Sequence, residues 1–227
     1  ITNQISDYFN ELDQMLFYLA LSGSAFKKLY FDNTLDRICS KFVPAEDFVI
    51  SYQNTDLETA ERYTQVMKMS RNEIKKHQIS GFYKDIALSK NEDSGKNQDT
   101  VEQTMQRLEG MSPSQADKIH TLLEVHVNLD LGEDDDGLAL PYIVTIDYDS
   151  TQVLSIRRNW KEDDTLKRKR TYFIHYKYLP GLGFYGFGLI QMIGGLQHAS
   201  TGALRALLDS AAFANLNGGF RAKGARI

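Results

Sequence analysis

TYFIHYKYLPGLGFYGFGLIQMIGGLQHASTGALRALLDSAAFANLNGGFRAKGARI, residues 171–227, is the stretch of sequence that decides the fold. It opens with a strand-like run that ends at Pro180 and continues through a glycine-dense turn at 181–188. A long pattern of small and apolar residues follows at 189–219 and predicts a helix, and three of the last eight residues are basic. Three interpretations compete here: a nucleotide-binding turn, a membrane segment, or a helix packed tightly among copies of itself.

The glycine turn matches the pattern G-x-G-x-x-G at Gly181, Gly183 and Gly186. In a dinucleotide-binding fold such glycines let a pyrophosphate approach the backbone at a helix N-terminus. The pattern belongs there in the first strand–helix–strand unit, with an acid about twenty residues later. Here no second parallel strand follows, and the acid would be Asp209, inside the helix pattern. The sequence therefore disfavours an oxidoreductase with a nucleotide cofactor, and we expect no cofactor.

The run from Leu179 to Leu204 has no formally charged residue and is long enough to span a bilayer. It also contains Pro180, seven glycines and several polar side chains. That composition is poor for membrane insertion. We expect no membrane span, and a membrane-associated protein is the second alternative.

Small residues recur along the predicted helix and favour the third interpretation. The candidate subunit-packing residues are Gly194, Gly195, Ala199, Gly202, Ala203 and Ala206. A thin helix lets neighbouring backbones approach closely. Each glycine costs about 1 kcal/mol of helix stability relative to alanine, so packing against other parts of the assembly must offset the loss.

The bulk composition limits the function classes. Hydrophobic residues make up 42% and charged residues 25% of the 227, as in an ordinary globular protein. The net charge of -4 argues against a simple electrostatic binder of nucleic acid. It does not exclude a conduit through which DNA slides, because a strongly basic channel would hold the phosphates tightly. The single cysteine, Cys39, excludes an internal disulfide and is predicted to be a structural thiol.

The first 120 residues mix helix and strand. The pattern predicts a helix at 6–21, a hairpin formed by 25–31 and 38–43, and strands at 48–52 and 63–69. A capping box at Ser70–Glu73 is predicted to open a helix that ends near Ile79. A polar helix is predicted at 100–109, and a further helix start at Ser112–Pro113. Residues 89–99 are polar and are predicted to form a mobile loop.

The middle of the chain alternates like an antiparallel sheet. Residues 122–131 place Glu124 and His126 on one side and valines on the other, which predicts an exposed His126. Runs at 142–148 and 152–158 repeat the pattern across a turn at Asp149–Ser150. The run at 172–178 is predicted to add a fourth strand to this meander. The fold class is therefore α+β, a mixed region with antiparallel strands followed by a long helix.

Other motifs favour no catalytic or metal site. The acidic turn at 132–137 lacks the calcium-loop spacing and is predicted to be a solvated hairpin tip. The five histidines are scattered, no catalytic constellation is visible, and we expect no enzyme. Residues 167–170 are basic but have acidic neighbours, so we expect a solvated loop. Arg221, Lys223 and Arg226 have no acidic neighbours and are the candidate DNA- or channel-proximal residues.

Segments along nearly the whole chain resemble the portal proteins of tailed bacteriophages, particularly of short-tailed phages. The residues that carry this resemblance are SGSAFKKLYFD (22–32), FVPAEDFVISYQNTDLETAERYTQVMKMSRNEIKK (42–76), GFYKDI (81–86), EVHVNLDL (124–131), YIVTIDYDS (142–150), IRRNW (156–160) and, most closely, the stretch from 173 to 227. The polar loop at 89–99 is the exception.

The resemblance implies a ring of about twelve copies at one capsid vertex. DNA would enter its axial channel, driven by the terminase, and later leave into the tail. It also implies a wing-like region at 1–180, a glycine turn and stem-type helix at 181–218 and the start of a clip-like region at 219–227.

The partners that it implies are further copies of the chain, the major capsid protein, the terminase, tail or adaptor proteins and double-stranded DNA. The location would be the virion, with the host cytoplasm during assembly. The chain starts without methionine, and we expect it to be part of a longer protein.

Overall fold

The computed structural model describes residues 8–32, 36–86, 119–132, 137–181 and 183–215. In chain order its elements are α1 (Tyr8–Ser22), β1 (Ser24–Asp32), β2 (Arg37–Pro44), a 3-10 turn (Ala45–Asp47), β3 (Phe48–Ile50), β4 (Arg62–Ser70), α2 (Arg71–Ile79), β5 (Ile119–Leu129), β6 (Leu140–Asp147), β7 (Val153–Arg158), β8 (Phe173–Lys177) and α3 (Leu189–Asn215). The predicted α+β class with a long helix at the end is confirmed. The predicted helix at 100–109 and the helix start at 112 lie outside the described residues.

The strands form two antiparallel sheets. One has five strands in the order β3-β4-β5-β6-β7, and the other has three in the order β2-β1-β8. The predicted hairpin of β1 and β2 is confirmed, with Phe31 opposite Ile38. The turn between β6 and β7 is confirmed as well, and the Asp147 carboxylate closes it by accepting hydrogen bonds from the Ser150 N–H and hydroxyl.

The prediction that the strand at 172–178 extends the meander is wrong. β8 leaves the five-stranded sheet and pairs with β1, so that Phe173 lies opposite Lys28. The Phe173 ring packs edge-on against Phe48 and Tyr63, with centroids 5.2 and 5.8 Å apart. Burying a large apolar side chain contributes about 1.5–3 kcal/mol, which favours this position between the sheets. Alternation along a strand reveals its faces but not its partner.

An aromatic core joins the two sheets. Its buried members are Phe26, Val43, Phe48, Ala60, Tyr63, Phe173 and Phe184. Phe26 of β1 stacks on Phe48 of β3 with centroids 4.1 Å apart. Phe184 comes from the glycine turn, so the same core also holds that turn against the sheets.

α2 covers one end of the five-stranded sheet, on the face that carries Tyr63 and His126, and begins as predicted. The Ser70 hydroxyl accepts a hydrogen bond from the Glu73 N–H (3.3 Å), and the Glu73 carboxylate accepts one from the Ser70 N–H (3.1 Å). This capping box satisfies two donors at the helix start. Ile74 then packs against Leu122 and Leu154 of the sheet.

The polar side of β5 faces the interior, which makes the predicted exposure of His126 wrong. His126 is 1% exposed and Glu124 is buried beside it. The Tyr63 ring stacks on His126, with centroids 4.7 Å apart. Val127, on the opposite side of β5, packs against a cluster on β6. Both faces of the strand are covered, so alternation by itself could not identify a wet face.

Candidate subunit-packing helix and its glycine joint

α3 is a single helix of 27 residues, none of which is buried. At 1.5 Å per residue it is about 40 Å long. Its start is fixed by the Gln191 side chain, which accepts a hydrogen bond from the Gly188 N–H (2.9 Å) and so satisfies a donor that a helix N-terminus leaves free. Farther along, Leu196 is 72% exposed and Phe213 is 76% exposed.

Four of the six candidate subunit-packing residues share one face of α3. Gly195, Ala199, Gly202 and Ala206 fall within about 60° of one another, because successive residues turn by about 100°. We call this face the small stripe. Ala203 borders the stripe, whereas Gly194 lies about a quarter turn away from it. All six residues are exposed on the helix, and their role in packing stays a prediction.

Five bulky apolar residues occupy a different face of the same helix, whereas Phe213 lies in line with the small stripe near the end of the helix. This leucine ridge consists of Leu189, Ile193, Leu196, Leu204 and Leu207, which fall within about 80° of one another. All of these side chains are at least 36% exposed. The centres of the ridge and the stripe are about 130° apart around the helix axis. One helix thus carries both a protruding and a recessed surface.

Three glycines interlock where α1, β8 and α3 meet, and we call them the glycine joint: Gly23, Gly186 and Gly188. Gly23 has a φ of +90°, and a side chain there would overlap the backbone from Gly186 to Gly188. A Cβ at Gly186 would lie 2.5 Å from the Gly23 carbonyl oxygen, and one at Gly188 would overlap the carbonyl of Leu21. The Tyr178 N–H donates to the Gly23 oxygen at 3.0 Å. Only glycines allow this approach of three elements.

The Ser24 hydroxyl lies at the centre of the joint. Ser24 is 1% exposed, and its Oγ accepts a hydrogen bond from the Gly186 N–H at 2.8 Å. The same oxygen lies 3.3 Å from His175 Nε2. One hydroxyl on β1 therefore links the last turn before α3 to a side chain of β8.

His175 is held neutral by its surroundings. Its ring packs against both Phe26 and Phe184, with each centroid 4.5 Å away and the two phenylalanine centroids 5.9 Å from each other. Burial lowers the pKa of His175 to about 4, and the positive charge of Lys177 acts in the same direction. A neutral Nε2 can accept the hydroxyl proton of Ser24 while Ser24 accepts from Gly186.

We expect Gly23→Ala to destabilise the protein clearly more than Gly81→Ala. Gly81 follows α2 with a φ of +76°, and a Cβ there would meet nothing within 4 Å. Both substitutions carry the left-handed backbone cost of about 1–2 kcal/mol, and only Gly23→Ala adds overpacking of about 1–3 kcal/mol. Denaturant unfolding of both variants measures the difference. Equal losses would contradict a tight joint.

The structure accounts for the G-x-G-x-x-G glycines without a nucleotide. β8, which precedes them, is an edge strand of an antiparallel sheet rather than part of a parallel one. A Cβ at Gly181 would lie 2.7 Å from the Tyr185 carbonyl oxygen, and Gly186 belongs to the joint. Gly183 faces open space. Close contacts within the chain thus require two of these three glycines.

The structure also bears on the interpretation of 179–204 as a membrane segment. Within the described residues, no helix reaches the combination of length and hydropathy that a bilayer crossing needs. α3 itself interrupts its apolar surface with the small stripe and polar side chains.

The two basic clusters have different outcomes. Arg221, Lys223 and Arg226 lie outside the described residues and stay predictions. In the cluster at 167–170, Lys169 Nζ donates to three backbone carbonyls, at 3.0 Å to Leu57, 3.2 Å to Glu58 and 3.0 Å to Ala60. The expected solvated loop is therefore wrong for Lys169, which ties two loops together.

Other predicted features are placed as follows. Cys39 is a buried free thiol. Most of the acidic turn at 132–137 lies outside the described residues. In the part of the chain that the structure describes, no group of three or more His, Cys, Asp or Glu side chains is arranged to hold a metal ion.

A buried ionic cluster between the sheets was missed from the sequence. Lys28 Nζ of β1 lies 2.7 Å from Glu124 Oε1 of β5 and donates to Gln65 Oε1 of β4 at 2.8 Å. His126 Nε2 lies 3.0 Å from the same carboxylate, and Arg157 Nη2 lies 4.0 Å from its other oxygen. The polar alternation of β5 was the available signal, but it was interpreted as exposure.

The cluster keeps Glu124 ionised. Burial by itself would raise the pKa of Glu124, but the hydrogen bond from His126 and the charge of Lys28 outweigh it and lower the pKa to about 2. Burial lowers the pKa of His126, against the opposing pull of Glu124. The cluster thus joins a carboxylate, an ammonium group and a neutral imidazole across the two sheets.

A comparison with known protein families gives one match for this chain. A family model described as Phage SU10 portal protein matches residues 28–225. No curated protein matches the chain. The matched residues include both sheets except the first four residues of β1, the ionic cluster, two of the three glycines of the joint and all of α3.

Proposed function

The chain belongs to the phage SU10 portal protein family, because that family's model matches residues 28–225 of 227, and from this premise we propose that it is a structural subunit of a portal ring. About twelve copies would close around an axial channel at one capsid vertex. DNA would pass through this channel during packaging and ejection. The ring would also offer the docking platform for the terminase, the major capsid protein and the tail or adaptor proteins.

The observation that carries the proposal is the exposure of the apolar side chains of α3. A helix in water gains most of its stability from packing of its apolar face, yet none of the 27 residues of α3 is buried. An exposed apolar patch such as the leucine ridge marks an interaction site. Coverage by neighbouring copies provides the missing packing.

The two faces of α3 suit a ring of identical copies. In a closed ring each subunit uses two different, complementary surfaces, and helices that lie along the ring axis are parallel to their neighbours. The leucine ridge of one copy would lie in the small stripe of the next, with Leu196 near Gly195 and Ala199. In a ring of twelve the two contact faces are about 150° apart. The ridge and stripe are about 130° apart, which agrees within the scatter of helix packing.

The regions of the chain then divide as in a portal subunit. The sheets, α1 and α2 within 1–180 would form the wing, and the glycine turn with α3 would form the stem within 181–218. Residues 219–227 would enter the clip. Arg221, Lys223 and Arg226 would approach the DNA phosphates there, in a chain whose net charge of -4 prevents a tight grip on the passing duplex.

Native mass measurement and negative-stain microscopy of the complete gene product test the proposal. We expect rings with a central hole and a mass near that of about twelve chains. Neither detergent nor a cofactor should be required. A folded monomer that forms no ring across salt and protein concentrations would overturn the proposal.

A further inference from the structure

The base of α3 and the end of α1 meet in the glycine joint with little space between them. The backbones of Gly23, Gly186 and Gly188 approach so closely that no side chain fits at any of the three positions. Such interlocked backbones leave no room for the independent rotation that a glycine-rich linker usually permits.

Three hydrogen bonds hold the elements of the joint together. The Gly23 N–H donates to Leu19 of α1 at 2.9 Å, and the Tyr178 N–H of the β8 end donates to the Gly23 oxygen at 3.0 Å. The Ser24 Oγ accepts from the Gly186 N–H at 2.8 Å. Of these, the Ser24 bond directly links the α1–β1 corner to the turn that leads into α3.

We infer that α1 and α3 form one mechanical unit, in which the Ser24 hydroxyl fixes the direction of α3 relative to α1. A force that tilts α3 is passed to α1 through the joint instead of being absorbed in the glycine turn. Conversely, a displacement of α1, whose outer side exposes Phe9, Leu16 and Phe17, carries α3 with it. This coupling concerns a single chain and does not depend on ring formation.

The distance between two spin labels tests the coupling in the complete chain. One label is placed at Gln14 of α1 and the other at Arg205 of α3, which lies on neither the small stripe nor the leucine ridge; Cys39 is replaced by alanine. Labelled chains are diluted with unlabelled ones, so that only distances within a chain are recorded. We expect a narrow distance distribution that becomes about twofold wider in Ser24→Ala.

Ser22→Ala is the matched control. The Ser22 hydroxyl lies 2.7 Å from the Tyr18 carbonyl and 2.9 Å from the Ser24 carbonyl and can donate its one proton to either. It thus bonds within the same corner without reaching the glycine turn. The distribution in Ser22→Ala should stay as narrow as in the unsubstituted chain. Equal widths in all three proteins would overturn the inference.

Hydrogen exchange gives a second test, which uses only the unsubstituted protein. In the unsubstituted protein the Gly186 amide should exchange about tenfold or more slowly than a free loop amide, because its hydrogen bond must open first. Exchange at the free-loop rate would overturn the inference even if Ser24→Ala failed to fold.

Discussion

Glu124→Gln is expected to destabilise the folded chain by about 3–5 kcal/mol, the range measured when one partner of a buried ion pair is removed. The substitution keeps the shape of the side chain but leaves the Lys28 ammonium, whose side chain is 12% exposed, without its carboxylate. Arg157, 4.0 Å from the other carboxylate oxygen, loses its counter-charge too. Urea unfolding at neutral pH measures the loss.

Two further variants separate the cluster from general effects of the substitution. Glu61→Gln makes the same chemical change at an exposed residue just before β4, and its effect should stay within about 0.5 kcal/mol. Lys28→Met combined with Glu124→Gln should lose less than the sum of the two single variants, since no unpaired ammonium remains. Strictly additive losses would show that Lys28 and Glu124 do not act as a pair.

Acid should remove the same contribution from the unsubstituted protein. The pKa of Glu124 falls from its ordinary 4.5 to about 2 in the folded state. Stability from a lowered carboxyl pKa is complete above the unfolded value and is lost as pH falls through the folded value. The difference in stability between the unsubstituted protein and Glu124→Gln should therefore shrink between pH 4.5 and 2.

Local chemistry made part of this fold predictable from the sequence. The capping box at Ser70 and Glu73 depends on residues three apart, and the turn at Asp149–Ser150 on adjacent ones. Both were predicted correctly because their energetics depend on near neighbours. The helix at 189–215 was predicted for the same reason, from its continuous pattern of helix-compatible residues.

The errors come from partners that are distant in the chain. Ser24 and Gly186 are 162 positions apart, and Lys28 and Glu124 are 96 apart. No residue near Glu124 in the sequence indicates that a lysine will neutralise its charge, so its polar side chain was interpreted as solvent-exposed. The pairing of β8 with β1 has the same cause, because a shared aromatic core rather than local pattern decides which edge a strand joins.

The candidate site was also predictable only where it depends on residues that are near one another in the sequence. The small stripe could be read from the spacing of Gly195, Ala199, Gly202 and Ala206, which needs only the helical period. In a continuous helix the same period places Gly194 outside the small stripe. The joint that aims α3 could not be predicted, because it needs the contact between Gly23 and Gly186, which are far apart in sequence.

Ala199→Leu is expected to prevent ring assembly while leaving the subunit folded. Ala199 lies in the middle of the small stripe and is exposed in the single chain, so the larger side chain meets no internal neighbour. Between copies it would fill the space that the ridge of the next subunit needs, at about 1–3 kcal/mol for each interface. A closed ring repeats this cost at every one of about twelve contacts. The ring population should therefore fall by far more than tenfold in native mass measurements.

Ala212→Leu is the matched control for this experiment, since Ala212 is exposed on the same helix and lies on neither the stripe nor the ridge. It should form rings at the same protein concentration as the unsubstituted chain. If Leu196 of the neighbour occupies the stripe, Leu196→Ala should partly restore rings to Ala199→Leu, because it removes the opposing bulk. Normal rings in Ala199→Leu would show that the stripe is not a contact between copies. If Ala199→Leu loses the rings and Leu196→Ala does not restore them, the stripe is still an interface between copies. A part of the neighbour other than Leu196 then packs against the stripe.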